Sequence, residues 1–194
     1  MHRTDSHAVA QATHDLGSAL WFGGSVMGAV GVNSSGDELP RSIDRIRVAN
    51  SAWGRFAPIE WLGIGAAVVS GLQLTRVGTR RIALQKGFGE ATAAKAVTMV
   101  LGIATTAYAG YCGMKIAEIA EQASQEGRLL EVQDAATPTG GTPTELARWQ
   151  RRLRVAQSLV PVLAGANIAF GAYLSQSFRP VATARGVMRR IQRH

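Results

Sequence analysis

Four stretches of this chain, 16–33, 62–75, 96–114 and 155–178, contain no charged residue, while the segments between them are crowded with charge. As a helix rising about 1.5 Å per residue, roughly 20 consecutive apolar residues cross the hydrocarbon of a bilayer. The backbone must satisfy its own hydrogen bonds there, so segments of this length are helices. The pattern predicts an all-α, integral membrane four-helix bundle, a single membrane domain over 1–194. Spans are expected at about 15–32, 56–75, 93–113 and 155–178. A soluble helical bundle is the competing reading, and uncharged blocks of this length speak against it.

The connections differ in kind. "NSSGDELP" is rich in turn formers. "RSIDRIRVANSAWGR" follows, with Ile43, Ile46 and Val48 on one helical face among arginines. It reads as a short amphipathic helix at the membrane interface. Residues 76–90 read as a short basic loop. Past the third block, Ile116, Ile119, Ala120 and Ala123 keep a helical period with glutamates opposite, so that helix should run on into water. "DAATPTGGTPTE" breaks it. Thr142, Pro143 and Glu145 then have the spacing of a capping box that restarts the chain as a helix. Residues 115–154 would form a hairpin projecting from the membrane, a natural surface for a protein partner.

The charge balance, 21 Lys and Arg against 13 Asp and Glu, gives +8. Its cations stand beside apolar blocks, which points to membrane lipids and not to nucleic acid. Arg76, Arg80 and Arg81, with Arg185, Arg189 and Arg190 of the basic C-terminal tail 179–194, are expected at lipid head groups. Five basic residues in 76–95 and five after the last span favour cytoplasmic termini. Arg148, Arg151, Arg152 and Arg154, beside the fourth span, argue the other way. The bias to Ala, Arg and Gly suits a bacterium, hence a multi-pass protein of the plasma (inner) membrane. The single cysteine, Cys112, excludes a disulfide or cysteine-based zinc site within one chain. It reads as a small buried residue.

Small residues recur at helical spacing: Gly24 with Gly28, then Gly63, Ala67 and Gly71, then Gly165 with Ala169. Such rows let helices in lipid approach closely, within one chain, in a homo-oligomer or against another protein. Ionisable or polar residues in or near spans are functional candidates by default, and these are Glu60, Lys95 and Asn167. Glu60, one turn inside its span and next to Trp61, is expected to be solvated at the interface. Asn167 is expected to hydrogen-bond between helices, and Pro161 to kink the fourth span. Met27, Met99 and Met114 are spaced as ordinary core residues.

His14 and Asp15 immediately precede the first apolar run. Either they mark the boundary at the head groups, with Trp21 and Trp53 near the interface or inside the bundle, or His14 is a ligand. The opening "HDLGSALWFGG", followed by a basic connection and a second apolar span, resembles small helical membrane proteins related to the CopD copper-resistance type. The likeness covers roughly the first 75 residues. It implies haem or copper handling at His14.

A phosphate loop with lysine, an HExxH pair and an obvious Ser-His-Asp set are all missing, so no residue is read as catalytic. The leading expectation is an accessory or scaffold subunit of a membrane complex, without a cofactor. The alternatives are a haem- or copper-handling protein centred on His14 and a small transporter using Glu60 and Asn167.

Overall fold

A computed structural model describes residues 2–82 and 88–176, with side chains over 7–76 and 89–175. Four long helices dominate it: α1 (His2–Met27), α2 (Ser42–Ile82), α3 (Phe88–Gln125) and α4 (Thr144–Gln176). They alternate in direction. Each packs on its two neighbours, so α1 and α3 face one another across the bundle.

Three of them, α2, α3 and α4, are long and apolar enough to cross a membrane. The fourth expected span is the exception. In α1 the apolar run is diluted by Gly17, Ser18, Gly23, Gly24 and Ser25, and it continues past Met27 into a π-helical turn, Gly28–Val32. Small and hydroxyl residues lower its apolar content but let it pack closely on α2. Gly17 shows why: a Cβ there would strike the Gly63 carbonyl oxygen and lie 3.0 Å from the Ala67 nitrogen of α2. The two backbones meet at this crossing, as small residues permit.

Besides an apolar core that includes Trp21, Ile64, Ile116 and Leu146, large apolar side chains also face outward and several polar ones are buried. Leu16, Val26, Leu62, Val69, Val100 and Val162 point outward from the four helices, while His14, Ser18, Glu60, Thr106, Gln157 and Asn167 are buried between them. Soluble domains bury the first set and expose the second.

Beyond this apolar belt the bundle continues as a packed head. Ile46, Cys112, Ile116, Ala120, Val132, Ala136, Leu146 and Leu153 form one core cluster there. Two expectations change here. The anticipated interfacial helix at 42–55 is the first part of α2, continuous with the apolar segment through Pro58. Its Ile46 is buried in the head, Ile43 packs beside it, and Val48 faces outward. The anticipated loop after residue 76 is also helical, since α2 runs to Ile82. Arg76, Arg80 and Arg81 are therefore helix residues, and Arg76 is exposed. Arg185, Arg189 and Arg190, with the rest of the tail, lie outside the described residues.

α3 extends past its apolar block as anticipated and stops at a Schellman turn. Gly127, at φ 67°, takes the left-handed conformation, and the Arg128 N–H returns to the Ala123 carbonyl at 2.8 Å. The segment to α4 then folds over the head. Arg45 donates to the carbonyls of Leu39, Val132 and Gln133, and Gln150 to those of Asp134 and Ala135. Arg47 of α2 holds Glu121 of α3 through a two-pronged ion pair at 2.9 Å. The capping box does not form as anticipated. The Thr142 hydroxyl is engaged with the Glu131 carbonyl and the Thr139 N–H, and the Pro143 carbonyl begins the ladder by accepting from Ala147 at 2.9 Å. Pro161 leaves α4 unbroken from Thr144 to Gln176.

Candidate functional site

Two half-open cavities lie one above the other along the bundle, lined by successive stretches of all four helices. The first, about 380 Å³, is bounded by α1 near His14, α2 near Gly71, α3 near Lys95 and α4 near Asn167. The second, about 450 Å³, is bounded by α1 near Ser25, α2 near Glu60, α3 near Tyr111 and α4 near Gln157. No lining residue is shared. Between them sits a layer of Trp21, Ile64, Val160 and Ala164, with Val68, Met99 and Ile103 against it.

Trp21 is wholly buried and spans the diagonal. Gly102 of α3 leaves room for the indole, and its N–H donates to Thr106 Oγ1 at 3.1 Å. Thr106 in turn donates to the Gly102 carbonyl at 2.9 Å. The indole is thus held by size below and by a hydrogen bond at its edge.

His14 anchors the first cavity. α1 begins at His2, so His14 and Asp15 stand well inside a helix and do not mark its start. The imidazole is buried, with Nδ1 2.7 Å from the Ala67 carbonyl and Nε2 2.7 Å from Lys95 Nζ. A carbonyl only accepts and an ammonium only donates, so Nδ1 carries the proton and Nε2 accepts from Lys95. Both ring nitrogens are therefore occupied. A haem iron or copper ion at Nε2 would have to displace the Lys95 ammonium, so the donor set around His14 does not fit a metal. Gly71 and Gly171 flank the pair, where a side chain would crowd it. Asn167 donates to the Lys95 carbonyl at 3.3 Å, the anticipated interhelical bond, while its Oδ1 has no partner among the described residues.

Glu60 dominates the second cavity and corrects the expectation of a solvated interfacial residue: it is 5% exposed. No described residue hydrogen-bonds or ion-pairs with its carboxyl group. It is also the one charged side chain among the described residues lining this cavity. Trp53, Trp61 and Tyr111 contribute aromatic wall. Trp53 is fixed by its N–H to Asn33 Oδ1 at 3.1 Å, and Asn33 donates to Gln157 Oε1 at 2.6 Å, which ties the π-helical turn to α4. Pro58 and Pro161 add a further feature. Neither has an N–H, so the carbonyls of Gly54 and Gln157 lose their donors four residues on. Gly54 and Gln157 both line this cavity.

Glu60 and Asn167, grouped by the sequence, are in different cavities, while His14 and Asn167 are in one. The small residues act within the chain. Gly24 faces the Phe56 ring, Gly28 the Trp53 ring, Gly63 Leu20, Gly71 His14 and Gly165 Phe22, and Ala67 supplies its carbonyl to His14. Ala169 faces outward, as do Met27 and Met114, whereas Met99 packs on the Trp21 layer. Gly17, Asn33, Thr106 and Gln157 were not legible as site residues, although each is a small or polar residue in or at the edge of an apolar block. No protein family, characterised protein or solved structure compared with this chain matches it.

Proposed function

We propose that this protein is a small polytopic membrane transporter, set in a bacterial inner membrane with both termini cytoplasmic, that passes a solute between two interior chambers. One observation carries the reading: each chamber holds a buried ionisable group, and the Trp21 layer separates them along the bundle axis. Buried charge in a membrane is retained where it does work on solutes or ions. The outward apolar belt on the same four helices supports insertion in lipid.

A scaffold or accessory role draws less support. The glycine faces that suggested it are largely covered by Phe22, Trp53, Phe56 and His14 of the same chain. The projecting hairpin is largely committed to its own loop, through Leu146, Gln150 and Leu153.

The test needs no knowledge of the solute. In a Cys112→Ala background, Ser25→Cys reports on the Glu60 chamber and Ser175→Cys on the His14 chamber. A membrane-impermeant maleimide, applied to sealed vesicles of known orientation, should label them from opposite faces. Labelling of both from one face, or of neither from any, overturns the proposal.

A further inference from the structure

We infer that the Glu60 chamber binds a monovalent organic cation with an apolar or aromatic body. The inference rests on the reading of the bundle interior as a solute site, and it names the class of solute. A side chain that is 5% exposed, ionisable and without a partner among the described residues is not explained by the described fold. A carboxylate that stays ionised when buried is paired, coordinates a metal or meets a ligand. Among the described residues no lysine, arginine or histidine lines the cavity to complete the pair. Nothing among them balances Glu60, and a bound cation would.

The remaining walls say what kind of cation. Trp53, Trp61 and Tyr111 offer ring faces or edges, with Met114, Ile46 and Val160 among the apolar lining. Aromatic rings attract organic cations through their quadrupoles, and quaternary ammonium groups are commonly recognised in this way. Gly54 and Gln157, whose carbonyls lose their intrahelical donors at Pro58 and Pro161, also line the cavity. A volume of about 450 Å³ suits a small organic molecule and is far larger than a bare alkali ion needs. The described wall carries one carboxyl group and no lysine, arginine or histidine. An anion would therefore find no countercharge there.

The His14 chamber is an internal control. Its cation, Lys95, faces His14, so it offers an organic cation no free carboxylate.

The experiment measures equilibrium binding of tetraphenylphosphonium to the purified full-length protein in mild detergent, with tetraphenylborate as the probe of equal shape and opposite charge. The wild type should bind one phosphonium saturably and the borate at least tenfold more weakly. Glu60→Gln should weaken phosphonium binding at least tenfold, and Glu60→Asp should retain it. Absence of saturable binding, equal affinity for the borate, or undiminished binding by Glu60→Gln overturns the inference. Phosphonium binding that depends on Glu60, combined with cysteine labelling from a single face, would sink the transport reading and leave this site standing.

Discussion

The His14 chamber and the Glu60 chamber are built from the same four helices and hold charges of opposite sign in opposite circumstances. Lys95 is answered inside the chain: its ammonium meets His14, whose other nitrogen meets the Ala67 carbonyl, and its own carbonyl takes a bond from Asn167. Glu60 is answered by nothing in the described chain. A charge that completes a network rigidifies the bundle and joins α1 to α3 across the diagonal. A charge left open in a cavity raises the energy of the empty protein and lowers that of a complex with a suitable ligand. Buried charge alone does not separate structural from ligand-binding sites; its partners do.

The largest effect should come from the layer that keeps the chambers apart. Trp21→Ala removes the indole packed on Gly102 and its bond to Thr106, and a buried aromatic truncated in this way costs about 3–5 kcal/mol. Thermal unfolding in detergent should show a large drop in midpoint, and the maleimide should then reach Ser25→Cys and Ser175→Cys from both faces. If stability and sidedness both survive, the chambers are not divided at Trp21.

A smaller loss belongs to the answered charge. Lys95→Met leaves His14 Nε2 as a buried acceptor without its donor, a penalty of about 1–3 kcal/mol. Adding His14→Leu should recover part of that loss, because the pair is then removed from both sides. A double-mutant cycle with no coupling would show that the 2.7 Å contact contributes nothing.

The least change is expected at the open charge. Glu60→Gln, close in shape and neutral, should alter stability by no more than about 1 kcal/mol, and upward if at all, since an unpaired charge is the costlier group to bury. A destabilisation as large as that of Lys95→Met would mean that Glu60 has a structural partner after all, and the contrast between the chambers would collapse.

Much of the architecture was legible in the residues. Charge-free blocks gave the four long helices, because uninterrupted apolar length is a one-dimensional property. They did not give the limits: α1 starts at His2 and α2 at Ser42, well before the expected spans. The continuation of α3 to Gln125 followed from the period of Ile116, Ile119, Ala120 and Ala123. The start of α2 was misread because Ile43 and Ile46, flanked by arginines, look the same at a membrane surface as in a packed head. What separates the two cases is Arg45 and Arg47 reaching Val132 and Glu121, residues more than 70 positions away. Thr142 failed as a cap for a similar reason: its hydroxyl found the Glu131 carbonyl, which the local sequence could not anticipate.

By itself, then, the chain's order of residues determined that it is helical, which apolar segments its long helices contain, and which few ionisable residues fall among apolar ones. Those properties depend on neighbours within a turn or two. Only the tertiary structure decided that Lys95 belongs to His14 and that Glu60 belongs to no described residue, since that depends on which faces of distant helices meet. Composition places a charge in an apolar segment; packing determines whether anything stands opposite it.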